Sequence, residues 1–451
     1  MGPACDNEET LRKMMENGMN VARFNFSHGS YEEHLGRYNR VVKVRDELKL
    51  PVATLFDSKG PEIRFRLFEG GKVTINDGDL FTLTTKEVLG NNTIGSISYK
   101  NLINDVQIGT SILVNDGLIE LKVEKVYDTD IVCRVINGGV ISDRKAINVP
   151  GVHLSLPFLS DVDRRDLEFA MKTGFDFFAL SFVRCAEDVL EVRRLQKEHN
   201  NTSKLIAKIE SQEGVENLDA IIDVADGIMV ARGDMGVEIP FEKVPVVQKD
   251  MISKCLKSGK FVIVATQMLE SMTHNPRPTR AEVNDVANAI FDQTSAVMLS
   301  GESAAGDYPV EAVKTMSRIC HEIEKTTTTG KFEITYNGSN LASSIACAAC
   351  SIASVINADA IIPVSLSGST IRKVSGFRPN INIIGCSTNE RVCRETSLMW
   401  GVTPVLITEQ EDGEALINEV INKCKTAGVI KSGNRVVIVA GFPLRIAGAT
   451  N

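Results

Sequence analysis

The feature of this 451-residue chain that most limits its fold is a repeated alternation of short apolar runs with amphipathic segments. The runs are almost continuous in apolar residues, which is typical of strands buried on both faces. Helical patterns lie between most of them, and repeated strand–helix units predict a parallel α/β sheet, either closed into a barrel or doubly wound. The predicted strands are residues 19–24, 52–56, 175–180, 205–209, 227–231, 261–265 and 295–299.

Residues 62–156 interrupt this alternation. They contain short β patterns separated by turn signals such as Asn115-Asp116-Gly117. Asp-Gly and Asn-Gly pairs favour tight turns between antiparallel strands. The sequence therefore predicts a small β-barrel domain inserted between two units of the larger barrel.

The α/β alternation resumes after a threonine-rich segment, residues 326–336, which has the composition of a linker. The part that follows predicts a doubly wound α/β domain with a helix at 341–357 and strands at 360–364, 382–386, 402–406 and 435–440. We thus expect three domains: a discontinuous barrel domain at 1–61 and 157–326, an inserted β domain at 62–156, and a C-terminal α/β domain with a regulatory role at 327–451.

Composition and charge argue against several classes of protein. The formal net charge of −8 offers no basic footprint for nucleic acid. No apolar stretch reaches the ~18 residues that suggest a membrane span, and the polar start of the chain lacks the pattern of a signal peptide. Ten cysteines are scattered without a compact framework, which is typical of reduced thiols in a cytoplasmic protein.

Polar clusters follow six of the predicted strands. In a parallel α/β barrel the active site lies at the carboxyl ends of the strands, so the clusters are expected to converge. Each cluster alone is weak, because Lys-x-Glu is usually a solvated pair and Gly-Asp is usually a turn, but together they predict one site. The clusters run from Arg23 to Gly29, Asp57 to Gly60, Lys208 to Glu210, Ala231 to Asp234, Ala265 to Gln267 and Ser300 to Glu302.

The spacing of these residues indicates the chemistry. Side chains two residues apart share one face of a strand, which places Lys208 beside Glu210. Glu210 and Asp234 could hold a hard divalent ion, since Mg2+ is usually bound by one or two carboxylates beside phosphates. Lys208 and Arg23 could neutralise a phosphoryl group in transfer. The alternative is that these groups form salt bridges which close the top of the barrel.

In this order the clusters closely resemble those of pyruvate kinases, over nearly the whole chain. The resemblance implies transfer of the phosphoryl group of phosphoenolpyruvate to ADP, the last step of glycolysis, in a homotetramer. It is carried by Asn25-Phe26-Ser27-His28-Gly29, Lys208-Ile209-Glu210 and Ala231-Arg232-Gly233-Asp234, and by the stretches that begin at Asp57, Ala265 and Met298.

The resemblance implies a role for each group. Lys208 would stabilise both the phosphoryl group and the enolate, and Glu210 and Asp234 would bind Mg2+ or Mn2+. Enolate protonation would run through water and hydroxyls near Thr266. The catalytic residues so implied are Lys208, Arg23 and Thr266, and the substrate-binding residues are Arg23, Lys208, Gly233, Asp234 and Thr266.

A monovalent cation site is implied by Asn25, Ser27, Asp57 and the Ser58 carbonyl. The family usually has threonine at Ser58, and serine keeps the hydroxyl. Family members with glutamate at the position of Glu62 resemble potassium-dependent enzymes, so we expect a K+ requirement.

Three residues, His28, Arg64 and Lys145, match positions that reach the nucleotide phosphates. Lys145 lies in the inserted β domain. The domain is therefore expected to act as a lid that excludes water from the transfer.

The turn from Ser365 to Thr370 matches a family loop that binds phosphorylated effectors. Hydroxyls and free N–H groups at a helix start suit a phosphate. However, Leu366 and Ser369 stand where basic residues are frequent in the family. An ordinary helix cap is the alternative.

Two questions stay open at this point. Family members have a barrel strand just before the stretch that corresponds to Gly2-Pro3-Ala4, so seven strands are predicted here instead of eight, and an open barrel would expose strand edges. Either the fold tolerates this, or another segment or subunit fills the gap, or this start is not the natural one.

The rival functions are a Mg2+-dependent lyase or aldolase acting on enolates and a catalytically silent relative.

Overall fold

The computed structural model describes residues 1–327 and 341–441. Of the predicted linker at 326–336, residues 328–336 lie outside the described residues. The described part contains a parallel α/β sheet, an inserted β structure and a separate C-terminal α/β sheet. The predicted fold class is thus confirmed.

Two strand–helix units precede the insertion. The polar loop after the first strand leads into a helix whose first turn is closed by a capping box, because Ser30 and Glu33 each accept the other's backbone N–H. The elements are α1 (Glu8–Glu16), β1 (Val21–Asn25), α2 (Tyr31–Leu48) and β2 (Ala53–Asp57).

The insertion folds around an apolar core of its own, which contains Phe65, Phe81 and Leu121. The predicted turn at Asn115 and Asp116 has left-handed φ angles of 55° and 57°. The elements are β3 (Ile63–Arg64), β4 (Lys72–Ile75), β5 (Leu80–Thr84), β6 (Ile94–Ser96), α3 (Leu102–Asp105), β7 (Ser111–Val114), β8 (Ile119–Val126), β9 (Asp130–Asn137), β10 (Gly139–Ser142) and β11 (Ala146–Asn148).

The chain then returns to strand–helix units. The elements are α4 (Asp161–Thr173), β12 (Phe177–Leu180), α5 (Ala186–Glu198), β13 (Lys204–Ile209), α6 (Gln212–Glu216), α7 (Leu218–Val224), β14 (Gly227–Ala231), α8 (Arg232–Glu238), α9 (Val244–Lys257), β15 (Phe261–Ala265), α10 (Arg280–Phe291), β16 (Ala296–Val297), α11 (Gly301–Ala304) and α12 (Pro309–Thr327).

All seven predicted strands pair in parallel in the order β1-β2-β12-β13-β14-β15-β16. The sheet is curled, because Val21 of the first edge strand and Ala296 of the last pack against the same interior cluster as Phe177 and Met229. The opposite face of each strand is covered by the helices. The strands therefore end around one common opening, as in a TIM-type barrel.

Residues 1–5 lie between the two edge strands. The backbone nitrogen of Met1 donates to the carbonyl oxygen of Arg23 on β1. Gly2 lies against Ala304 of α11, which follows β16. This short segment therefore bridges the two sides of the curled sheet.

The C-terminal domain contains a four-stranded parallel sheet in the order β19-β18-β17-β20, with an apolar cluster on each face. Its doubly wound architecture is the predicted one. The elements are α13 (Leu341–Val355), β17 (Ala360–Pro363), α14 (Ser369–Gly376), β18 (Asn382–Ser387), α15 (Glu390–Thr396), β19 (Val402–Leu406), α16 (Gly413–Thr426) and β20 (Val436–Val439).

Helix α15 joins this domain to the base of the barrel, where the strands begin. Arg394 forms a 3.0 Å ion pair with the buried carboxylate of Asp176, which also accepts the amide of Thr54. Leu398, 4% exposed, belongs to the apolar cluster inside the barrel. The C-terminal domain thus closes the end of the barrel opposite the carboxyl ends of the strands.

Among the described residues, no helix combines the length and the apolar character needed to cross a lipid bilayer.

Candidate active site

Four charged side chains form a connected network at the carboxyl ends of β1, β2 and β13. Arg23 contacts Asp57 at 2.5 Å, Asp57 contacts Lys208 at 3.1 Å, and Lys208 contacts Glu210 at 3.0 Å. Asp57, Lys208 and Glu210 are buried. The charges alternate in sign along the network, so each group favours the charged form of its neighbours.

The ionisation of this network follows from burial and from the paired charges. Burial opposes the charge of Lys208, but Asp57 and Glu210 outweigh it and raise the pKa of the ammonium above its ordinary value. Burial likewise opposes the charge of Asp57, yet Arg23 and Lys208 lower the pKa of this carboxyl. Burial raises the pKa of Glu210 to about 7, with a contribution from the negative charge of Asp234.

Strand β1 turns its polar residues towards the barrel opening. Ala22, Phe24 and Phe26 are buried against the helices, and Arg23, Asn25 and Ser27 alternate with them. Asn25 accepts the amide of Ser27 and lies beside Asp57 in the strand register. The residues predicted for the monovalent cation therefore come from two adjacent strand ends.

Helix α8 brings backbone donors to the same opening. The N–H of Gly233 donates to the hydroxyl of Thr266 over 2.9 Å. Arg232 anchors the start of the helix through a 2.7 Å ion pair with Asp285. Thr266 has a φ of 70°, a strained conformation for a β-branched residue that marks functional sites.

Asp234 lies at the solvent-exposed edge of the site. Desolvation within the cleft and the negative charges of Glu62 and Asp116 raise the pKa of its carboxyl. Its carboxylate makes no hydrogen bond to the described residues. Together with Glu210 it supplies the oxygen ligands that suit a hard divalent ion.

The inserted β domain covers this opening from one side. Asn148 donates to Glu238 of α8 over 2.9 Å, and Gly117 at the tip of the domain approaches Val237. Arg64 on β3 lies opposite Ala146 on β11, next to Lys145. His28 is exposed on the loop after β1, on the barrel side of the cleft.

Glu62 already has a cationic partner, because the guanidinium of Arg64 lies 2.7 Å from its carboxylate. The charge of Glu62 is thus compensated within the protein and does not by itself call for a bound cation. The potassium prediction then depends on the ligand set of Asn25, Ser27, Asp57 and Ser58.

Two residues of the site were not singled out from the sequence. Ser181 accepts the ammonium of Lys208 over 2.6 Å, and the backbone N–H of Phe182 donates to Glu210 over 2.6 Å. Both directly follow β12, the one predicted strand to which no polar cluster was assigned. Applying the strand-end rule to this seventh strand would have identified Ser181.

The predicted effector turn lies at the start of α14. Gly368 has a φ of 75°, and the ammonium of Lys373 donates to the hydroxyl of Ser369 over 2.9 Å. A cation therefore reaches this turn from within the helix.

Comparison with known proteins agrees with this architecture. Residues 1–313 match the family model of the pyruvate kinase barrel domain, and residues 343–451 match that of the pyruvate kinase alpha/beta domain. Pyruvate kinases of Clostridium acetobutylicum and Staphylococcus aureus are each 45% identical over 456 aligned residues, covering 100% of this chain and 96% and 78% of theirs. A crystal structure of a pyruvate kinase from Cryptosporidium parvum superimposes with a TM-score of 0.93 at 39% identity, covering 99% of this chain and 93% of that one.

A barrel with cationic and carboxylate groups at its strand ends, an inserted β domain and a C-terminal α/β domain defines a metal-dependent phosphotransferase class. The chain belongs to the pyruvate kinase family. It is an enzyme with pyruvate kinase activity, whose general role is in glycolysis and whose substrates are phosphoenolpyruvate and ADP. The two rival functions, a lyase or aldolase acting on enolates and a catalytically silent relative, are thereby set aside.

Proposed function

We propose that Lys208 and Arg23 bind the phosphoryl group during its transfer from phosphoenolpyruvate to ADP. The observation that carries this proposal is the position of the Lys208 ammonium, buried between the carboxylates of Asp57 and Glu210 at 3.1 and 3.0 Å. A fixed cation in a water-poor site stabilises developing negative charge far better than one in water. The same ammonium stabilises the enolate left after transfer.

The substrate carboxylate is held by the backbone N–H groups of Gly233 and Asp234 and by the hydroxyl of Thr266. Support comes from the 2.9 Å hydrogen bond in which the Gly233 N–H donates to the Thr266 hydroxyl, because it places these two groups side by side. Thr266 also lies on the proton route to the enolate.

Glu210 and Asp234 hold the divalent ion, Mg2+ or Mn2+. Such an ion supplies Lewis-acid stabilisation of phosphoryl and enolate oxygens when bound. The protein orients Glu210 through the backbone N–H of Phe182, which donates to the Glu210 carboxylate over 2.6 Å. Asp234 stays open to solvent.

Asn25, Ser27, Asp57 and the carbonyl of Ser58 hold K+. They are oxygen groups from two neighbouring strand ends, which suits a weakly hydrated monovalent cation. His28 on the barrel, with Arg64 and Lys145 on the lid, contacts the nucleotide phosphates from the two sides of the cleft.

A coupled assay with lactate dehydrogenase tests these roles. Phosphoenolpyruvate, ADP and Mg2+ are supplied with either K+ or Na+, and pyruvate formation is recorded. We expect turnover only with a divalent ion, and faster turnover in K+. Equal rates in the two monovalent salts would contradict the potassium site, and turnover after complete chelation of divalent ions would contradict the site at Glu210 and Asp234.

Further proposals concern the whole protein. The domains divide at residues 61/62, 156/157 and 326/327, the lid is the 62–156 domain, and the enzyme is a cytoplasmic homotetramer. A phosphorylated effector binds the turn from Ser365 to Thr370, with Lys373 as its cation. Size-exclusion chromatography with light scattering tests the tetramer, and rate measurements with added sugar phosphates test the effector.

A further inference from the structure

Ser181 connects two parts of the site that come from different strands. Its side chain is 3% exposed and lies directly after β12, between the loop after β2 and the end of β13. The backbone N–H of Ser181 donates to the hydroxyl of Ser58 over 2.9 Å. The Ser181 hydroxyl contacts the carbonyl oxygen of Ser58 at 2.7 Å and the ammonium of Lys208 at 2.6 Å.

The direction of these two hydrogen bonds is determined by the groups involved. An ammonium only donates, so the Ser181 oxygen must accept from Lys208. The single hydroxyl proton then goes to an acceptor, and the Ser58 carbonyl at 2.7 Å is closer than the Asp57 carboxylate at 3.4 Å. A directed chain therefore runs from Lys208 through Ser181 to the Ser58 carbonyl.

The backbone around Ser181 leaves the hydroxyl little freedom. Phe182 has a φ of 55°, and its N–H is held by Glu210 at 2.6 Å. Gly60 has a φ of 74°, and a Cβ there would lie 2.8 Å from the Cβ of Ser181, so the loop after β2 wraps closely around this side chain. The chain of hydrogen bonds is thus built into the fold.

We propose that Ser181 is a positioning residue that couples the cation site at the Ser58 carbonyl to the orientation of Lys208. Hydrogen bonds in series polarise one another. A cation coordinated by the Ser58 carbonyl oxygen weakens the hydrogen bond that this oxygen accepts from the Ser181 hydroxyl. The Ser181 oxygen then becomes a weaker acceptor for the ammonium of Lys208. One N–H of Lys208 then turns towards the phosphoryl group. This inference rests on the monovalent site proposed above.

The test combines a kinetic readout with a binding readout in Ser181→Ala. Activation is the ratio of kcat in K+ to kcat in Na+, and binding is the K+-dependent rise in the midpoint of thermal unfolding. We expect the activation ratio to fall about ten-fold, the worth of one hydrogen bond to a charged group. The shift in unfolding temperature should persist, because the other cation ligands remain.

Three further variants make the result specific. Ser181→Thr keeps the hydroxyl and should restore the activation ratio. Ser181→Cys keeps the bulk with a weaker donor and acceptor, so it tests the same link if the alanine variant folds poorly. Ser203→Ala removes another buried hydroxyl, which donates to Phe175 at the other end of the barrel, and should leave the ratio unchanged.

The outcomes separate this inference from the proposed function. An unchanged activation ratio in Ser181→Ala would overturn the coupling while leaving the potassium site intact. Equal loss of activation and of the thermal shift would also overturn it, because Ser181 would then simply be part of the cation site. A wild-type enzyme that responds to K+ in neither measurement would refute the potassium site itself, and the coupling with it.

Discussion

The ammonium of Lys208 has three protein acceptors around it: Ser181 at 2.6 Å, Glu210 at 3.0 Å and Asp57 at 3.1 Å. An ammonium has three donors and no acceptor, so the protein satisfies it completely. A phosphoryl oxygen reaches this group only by displacing one of the three. Ser181 is the uncharged member, and its bond is the least costly to give up.

Replacing Lys208 by methionine keeps most of the length of the side chain and removes its charge. We expect kcat/KM to fall by about 10²-fold or more, because the site loses its central cation and leaves Asp57 and Glu210 facing each other. The coupled assay measures the loss. Lys204→Met is the matched control, since Lys204 lies at the other end of the same strand, and a comparable loss there would contradict the assignment.

Glu210→Gln tests the divalent site by binding alone. The amide keeps the shape of the side chain but loses a charged oxygen ligand, so we expect Mn2+ affinity to fall about ten-fold or more. Electron paramagnetic resonance of free Mn2+ during titration measures this. Glu213→Gln, on the following helix α6 and paired with His153, should bind Mn2+ as the wild type does. Unchanged Mn2+ affinity in Glu210→Gln would refute the assignment of Glu210 as a metal ligand.

At the scale of single elements, helix α2 holds the loop that carries Ser27 and His28. Its first turn depends on the capping box of Ser30 and Glu33. Ser30→Ala should lower the free energy of unfolding by about 1 kcal/mol, because one helix-end N–H loses its acceptor. Urea denaturation measures the change. Ser354→Ala, in an exposed part of α13, should cause no loss. Equal effects would show that the cap contributes nothing specific.

The sequence predicted the long periodic elements well and the short ones poorly. All seven barrel strands were found because burial on both faces leaves continuous apolar runs. Four short strands of the inserted domain, β3, β6, β10 and β11, were not predicted, since their two to four residues are too few to show alternation.

The site itself divides in the same way. Strand-end reasoning found Arg23, Lys208 and Glu210, whose grouping follows from strand geometry alone. Ser181 was missed because no polar cluster was assigned to the end of β12, although its contact with Ser58, in the loop after β2, is one that only the structure records. The roles assigned to these residues stay predictions until the variants are measured.

At the scale of the whole molecule, the pair of Arg394 and Asp176 joins the C-terminal domain to the barrel. Arg394→Met leaves the fully buried carboxylate of Asp176 without its nearest cation, although Arg45 remains at 3.9 Å. Removing one partner of a buried ion pair costs about 3–5 kcal/mol, so we expect a loss of this size in urea denaturation. Lys423→Met breaks an exposed 4.0 Å pair with Glu419 and should cost far less. A loss of unfolding free energy in Arg394→Met below that in Lys423→Met would contradict the conclusion that this ion pair joins the two domains.

The insertion of Leu398 into the base of the barrel has a consequence for synthesis on the ribosome. This residue follows the last barrel strand by roughly 100 residues, which take about 5–20 s to translate. Throughout that interval the nascent barrel has all its strands but lacks the side chain that completes the base of its interior cluster. The apolar floor of the barrel therefore stays uncovered by Leu398 until this part of the C-terminal domain has been made.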